Sequence, residues 1–298
     1  MRHNEVLIIK MKELITTNQH LHLAFQDQLI QYINVKTNAS FMFAHLCLFH
    51  YEAFGCELDD DAVSIAAALE LLILSFDIID DLQDGDVDTI WSQDTAIGLN
   101  GAIALLFIAK QIVLKTSSRY KWEVACLLEE YGLDCINGQQ QDLLNTARTE
   151  EAYLNMIRQK SGSLTALSCQ LGVVLATGQI NSTVARYAEH IGMIQQIKND
   201  ITDLKYWNGK NDILYKKYSL SILFLFSQPS SVAVHLNDYY AGNTHSVNVP
   251  LLQKALIDSG AIQYALAIKN LLKLEALVFL KQIKMHEVDL LYVEKLMK

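Results

Sequence analysis

Apolar residues recur every three to four positions along most of this chain, and nowhere do they alternate with polar ones as a half-buried strand would require. The pattern predicts helices over about 5–35, 41–55, 60–83, 94–114, 122–145, 149–178 and 183–207. An irregular loop is expected over 207–217, a second irregular stretch over 227–250, and a return to helix over 251–296. Asp60 and Asp94 stand where helix N-caps are wanted, and Asp59, Asp60 and Asp61 place negative charge at the positive end of a helix dipole. Residues 66–76 and 101–108 are apolar on nearly every side, which belongs at the centre of a large bundle. The longest candidate for a membrane span, 101–114, is cut by Lys110 and is shorter than the roughly 18 residues a span needs, so no span is expected.

Composition sharpens the helical expectation. The chain of 298 residues contains two prolines, Pro229 and Pro250, where an average chain would carry roughly fifteen. Its first three quarters therefore lack the residue that most effectively breaks helices. Hydrophobic residues make up 51% and charged ones 19%, enough apolar surface for a large core and too much for disorder. No linker, internal repeat or low-complexity tract divides the sequence. Residues 1–298 are expected to form one all-α domain, a single large helical bundle.

Charge and cysteine usage narrow the partners. The formal net charge is −9 and no basic patch opposes it, which excludes a nucleic-acid partner. The nine histidines form no pair at metal-ligand spacing beside cysteine or carboxylate, so zinc is not expected. Cys47, Cys56, Cys126, Cys135 and Cys169 are odd in number and form no CxxC pair, which fits buried thiols in a reducing compartment. Arg2, Glu5, Lys10, Lys12 and Glu13 interrupt the first 17 residues, leaving no apolar run for a signal peptide. The expected location is the cytoplasm.

The acids are concentrated. Asp77, Asp80, Asp81, Asp84, Asp86 and Asp88 put six carboxylates into twelve residues. On a helix, Asp77, then Asp80 or Asp81, then Asp84 share one face, where like charges repel. A solvated acidic helix end is one explanation, and a divalent-cation site is the other; the apolar turns before the acids favour the second. A matching stripe occurs at Gln196, Asn199, Asp200 and Asp203. All four are hard oxygen ligands or hydrogen-bonding groups suited to Mg2+, which is commonly held by one or two carboxylates together with substrate phosphates. Two acidic stripes can thus bind a diphosphate through bridging metal.

With these motifs in order, the sequence resembles the class I trans-isoprenyl diphosphate synthases. Asp80-Asp-Leu-Gln-Asp84 is similar to the first aspartate-rich motif, DDxxD; Gly192, Gln196, Asp200 and Asp203 match GxxxQxxDDxxD, with Asn199 in place of one Asp. Gly138-Gln139 resembles the family's GQ pair, and Lys160-Ser161 stands where the family has a Lys-Thr contacting the diphosphate. Residues 212–222 resemble the DLxxGKxTLP segment, whose lysine corresponds to Lys217. The resemblance covers roughly residues 40–225. It implies helices around a deep apolar cavity with the acidic motifs facing each other at its mouth, Mg2+ held by Asp80, Asp81, Asp84, Asn199, Asp200 and Asp203, and a diphosphate held by Lys160, Gln196 and Lys217. Ionisation of an allylic prenyl diphosphate would follow, with Asp80, Asp81, Asp84, Lys160 and Lys217 as the catalytic set. For Lys217, beside Lys216, an ordinary surface position is the alternative. Homodimerisation is a further implication of the family.

Two departures bear on the acceptor. Elongating members carry GGKRxRP before the first motif to bind isopentenyl diphosphate, whereas the corresponding residues 38–44 here contain no basic side chain. The arginine pair that follows DDxxD is also missing from residues 85–91. This combination, with segments 71–84 and 160–178, resembles a subgroup, the ComQ-like pheromone-modifying prenyltransferases, which move a geranyl or farnesyl group to a tryptophan of a precursor peptide. A small Trp-containing peptide needs no diphosphate pocket. The alternatives are a short-chain isoprenyl diphosphate synthase and a non-catalytic regulatory subunit of such a synthase. Phe76, one turn before Asp80, and Ser75 are candidates for the prenyl pocket, Phe76 limiting donor length unless it is simply core.

Overall fold

The computed structural model describes residues 4–36, 41–204, 211–283 and 287–297, and among these it contains helices and no strand. The α-helices in chain order are α1 Asn4–Thr16, α2 Leu23–Lys36, α3 Met42–Ala53, α4 Asp60–Asp84, α5 Thr95–Lys115, α6 Lys121–Leu143, α7 Glu150–Ile157, α8 Ser163–Thr177 and α9 Ser182–Asp203. After them come α10 Leu220–Ser227, α11 Ser231–Tyr240, α12 Val249–Asp258, α13 Ala261–Leu280 and α14 Glu287–Leu296. Contacts divide the chain into two compact units, one of the residues up to Tyr131 with Leu167–Ser182, the other of Gly132–Ala166 with the residues from Thr183 onward.

In the first unit α4 is the central rod, packed against α1, α2, α3 and α5. Every residue from Ser64 to Ser75 is buried, as the run of apolar positions predicts. Its N-cap is Asp59, one residue earlier than expected, whose carboxylate accepts from the Ala62 amide at 2.7 Å. Asp94 caps α5 as expected, accepting from Ala96 and Ile97. Close helix approach depends on glycine at two places. A Cβ on Gly101 would stand 2.7 Å from the Tyr32 ring, and one on Gly172 would stand 2.1 Å from the Cys47 carbonyl oxygen of α3. In the second unit the core gathers Leu204, Ile213, Ile222, Leu225, Leu236, Leu252 and Leu256 from α9 to α12.

The structure corrects several expectations. The helix expected over 5–35 is two, because Asn18 turns the chain between them: its carboxamide oxygen accepts from the His20 amide at 3.1 Å, and its carbonyl from Gln26 at 3.1 Å. Part of the stretch 227–250 expected to be irregular is α11, started by Ser230, whose hydroxyl accepts from the Ala233 amide at 3.1 Å. Pro229 separates α10 from α11, and Pro250 sits in the first turn of α12, where a missing N–H costs nothing. Gly260, with φ +80°, divides α12 from α13. Of the expected loop, residues 207–210 lie outside the described residues, as do residues 38–40 of the segment aligned with GGKRxRP. Cys47, Cys135 and Cys169 are buried, but Cys126 is exposed, and all five are free thiols. Helices α4 and α5 are long and apolar enough to cross a membrane by length and composition, beyond the shorter run seen in the sequence; 78% of the apolar window of α4 is buried inside the protein.

Candidate active site

In the first unit the acids Asp77, Asp80, Asp81 and Asp84 occupy the last turns of α4. The helix stops directly after them at Gly85, φ +73°, where the amides of Gly85 and Asp86 both donate to the Asp81 carbonyl. Carboxylates at the negative end of a helix dipole repel the dipole as well as one another, so the arrangement is costly without a cation. Asp80, Asp81 and Asp84 are half-buried. The indole N–H of Trp91 donates to Asp81 Oδ2 at 3.0 Å, and the Trp91 ring meets Tyr32 edge-on at a centroid distance of 5.6 Å, which fixes the carboxylate. Ser75 is fully buried and its hydroxyl donates to the Ala102 carbonyl at 2.8 Å, tying α4 to α5, while Phe76 is half-buried.

In the second unit a single π-helical turn, Arg158–Gly162, interrupts the helix expected over 149–178 and carries Lys160 and Ser161. Two motif glycines let their helices close on it. A Cβ on Gly138 of α6 would fall 2.3 Å from the Lys160 amide nitrogen, and one on Gly192 of α9 would fall 2.4 Å from the Ser161 carbonyl oxygen. Packed in this way, Ser161 donates to Gln196 Oε1 at 2.8 Å, and Gln196 Nε2 donates to Asp200 Oδ1 at 2.8 Å. The other Asp200 oxygen accepts from the hydroxyl of Tyr153, which is buried. Asp203 is half-buried and Asn199 exposed.

Lys160 and Lys217 converge on one carboxylate. Lys160 Nζ donates to Asp142 Oδ2 at 2.8 Å and Lys217 Nζ lies 3.1 Å from the same oxygen. The divergence of Lys216 from Lys217 follows from the backbone. Lys216 adopts φ +55° and lays its ammonium 4.7 Å from the centre of the Tyr239 ring, while Lys217 turns toward Asp142. Asn145 donates to the Lys216 carbonyl, and Tyr240 donates to the Lys217 carbonyl at 2.8 Å, holding the strained segment.

The charges respond to these surroundings. Burial opposes ionisation of Asp142, but Lys160 and Lys217 outweigh it and hold the carboxyl below its usual range. Asp200 is pushed up to about 6 by burial and the nearby Asp142 charge, with Tyr153, Gln196 and Lys160 pulling the other way. Burial, together with the Asp200 and Asp203 charges, raises Asp212 well above its ordinary value. An acidic centre at which carboxylates resist ionisation is one that a divalent cation would relieve. Among the described residues no three His, Cys, Asp or Glu side chains already converge on one point. The donors are nevertheless all hard oxygens, and Mg2+ takes only one or two carboxylates when phosphate oxygens complete its shell, so the residues fit the ion.

Sequence reasoning did not single out Asp142, Tyr153 or Tyr240, and it marked Asp212 only as the head of the DLxxGKxTLP-like segment, without a role of its own. Asp142 follows Gln139 by three residues on α6, a signal available beside the GQ pair. Tyr153 and Tyr240 carry no comparable mark, because only tertiary contact brings them to Asp200 and Lys217.

Comparison with known proteins identifies the family and the fold. The polyprenyl synthetase family model matches residues 42–254. The tryptophan prenyltransferase ComQ of Bacillus subtilis subsp. natto (strain BEST195) is 37% identical over 265 residues, covering 88% of this chain and 82% of that protein. A crystal structure of geranylgeranyl pyrophosphate synthase superposes with a TM-score of 0.86 at 18% identity, over 98% of this chain and 96% of that one. The polyprenyl synthase from Caulobacter crescentus CB15, complexed with calcium and isoprenyl diphosphate, superposes with a TM-score of 0.81 at 18% identity, over 99% and 94% of the two chains. The chain belongs to the polyprenyl synthetase family and is an enzyme that transfers prenyl groups.

Proposed function

We propose that this enzyme moves a geranyl or farnesyl group from an allylic diphosphate to a tryptophan of a small pheromone precursor peptide, using Mg2+, as a cytoplasmic homodimer. The observation that carries the choice of acceptor is Phe41. It stands in the segment where elongating relatives bind isopentenyl diphosphate through basic residues, and here it is completely buried in the core of the first unit. A buried phenyl group offers a second diphosphate nothing, whereas a peptide indole makes no such demand. The tryptophan prenyltransferase relative supports the same acceptor.

In this reading Asp80, Asp81, Asp84, Asp200 and Asp203 hold the metal, with Asn199 as a further oxygen ligand. Bound there, Mg2+ supplies charge neutralisation of the diphosphate leaving group. Lys160 and Lys217, pre-positioned on Asp142, are ammonium donors for the departing diphosphate oxygens, and Gln196 is held by Ser161 and Asp200 to contribute an amide. Phe76 would bound the prenyl tail. Indole C3 then attacks the allylic carbon.

The test is incubation with Mg2+ and labelled geranyl or farnesyl diphosphate, offering either a Trp-containing peptide or isopentenyl diphosphate. Labelled peptide is expected. Product with isopentenyl diphosphate alone refutes the reading in favour of a short-chain synthase, and no product with either refutes it in favour of a regulatory subunit.

A further inference from the structure

Asp77 is held by a buried lysine. Its Oδ2 lies 3.0 Å from Nζ of Lys36, a lysine from α2 whose side chain is only 7% exposed. The same ammonium lies 3.4 Å from Oε2 of Glu70, which is wholly buried, and Glu70 in turn accepts the Ala44 amide through Oε1 at 2.8 Å. An ammonium leaves water only where carboxylates compensate it. Burial pulls Lys36 down, yet Glu70 and Asp77 outweigh burial and keep it above its ordinary value, a fixed cation. Asp77 is thereby fixed through one oxygen while its side chain stays 54% exposed. It shares the helix face of Asp80, Asp81 and Asp84, one turn nearer the apolar part of α4.

Alkylation of an indole creates a cation that has to lose a proton. Carboxylates that give their electron pairs to a divalent ion are poor acceptors for it, which removes Asp80, Asp81 and Asp84 from that role. We infer that Asp77 is the catalytic carboxylate that steadies the cationic acceptor and receives its proton, with Lys36 and Glu70 as positioning residues; this rests on the tryptophan-acceptor reading above. The C2–C3 π electrons of the indole form the bond to C1 of the prenyl group, and the C1–O bond breaks with its pair leaving on the diphosphate. The positive charge now on the indole nitrogen is discharged when the N–H proton passes to Asp77, leaving a neutral 3H-indole. Asp77 returns the proton to water.

The experiment measures product partition in the full-length enzyme with Mg2+, labelled farnesyl diphosphate and a Trp-containing peptide, comparing alkylated peptide with farnesol formed by water capture. Asp77→Asn is expected to shift the ratio toward farnesol by about 10²-fold, the lower end of general-base effects. Asp77→Glu should recover part of the ratio, and Lys36→Met should shift it in the same direction as Asp77→Asn. An unchanged ratio in Asp77→Asn overturns the inference and leaves the acceptor reading standing. Failure of the parent enzyme to alkylate the peptide overturns both.

Discussion

Lys160 and Lys217 share one acceptor, Oδ2 of Asp142, at 2.8 and 3.1 Å, although one lies on the π-helical turn and the other in the segment before α10. Two ammoniums on one oxygen form a preassembled anion site, in which Asp142 offsets their mutual repulsion and keeps both in place for an incoming diphosphate. Asp142→Asn should leave the two cations mutually repelling. We expect an unfolding free energy lower by about 3 kcal/mol and a KM for the allylic diphosphate raised about tenfold, which is ~1.4 kcal/mol. Urea denaturation and steady-state kinetics check the two effects separately.

The π-helical turn depends on glycine. Gly192→Ala would set a methyl 2.4 Å from the Ser161 carbonyl oxygen and 2.7 Å from the Gly162 Cα, against backbone that cannot rotate away. Overpacking of this kind costs roughly 1–3 kcal/mol, and here it would also displace Lys160. The expected result is a transfer rate lower by about 10²-fold with helical circular dichroism retained; parent-like kinetics would mean the turn adapts.

Removal of the divalent ion should stop transfer. Chelation with EDTA is expected to abolish product, excess Mg2+ to restore it, and Asp80→Asn or Asp84→Asn to be inactive at any Mg2+ concentration. Full activity in either variant would remove those carboxylates from the metal set.

His50 gives the first unit a pH-dependent stability. Its ring is fully buried, and because a carbonyl only accepts, Nδ1–H is the donor to the Leu46 carbonyl at 2.7 Å. Burial lowers its pKa from 6.5 to about 4. The unfolded chain therefore binds the proton first as pH falls, and the stabilisation present above pH 6.5 is lost between 6.5 and about 4, by roughly 3 kcal/mol. Urea midpoints at pH 7 and pH 4.5 should differ accordingly, and His50→Gln should flatten that part of the slope.

Phe76 sets the last expectation. As a half-buried aromatic one turn before Asp80, it is expected to limit the prenyl tail, so Phe76→Ala should accept geranylgeranyl diphosphate better relative to geranyl diphosphate than the parent does. An unchanged preference would make Phe76 ordinary core.

The sequence by itself determined what is local. Helical periodicity, the scarcity of proline, the apolar run of α4 and the two acidic stripes follow from side-chain identity and spacing, since a helix repeats its faces without help from the rest of the chain. Positions decided by a single competing hydrogen bond were less legible: Asn18 splits the first helix and Ser230 starts α11 because one side chain captures a backbone amide, which periodicity cannot register. Tertiary structure alone decided which groups meet. It brought Asp142 to both lysines, Tyr153 to Asp200, Tyr240 to the Lys217 carbonyl, and Lys36 to Glu70 and Asp77. It also separated Lys216 from Lys217 by a left-handed backbone at Lys216. Each of these joins residues distant in sequence or hangs on one dihedral angle, and packing fixes both only after the helices have docked.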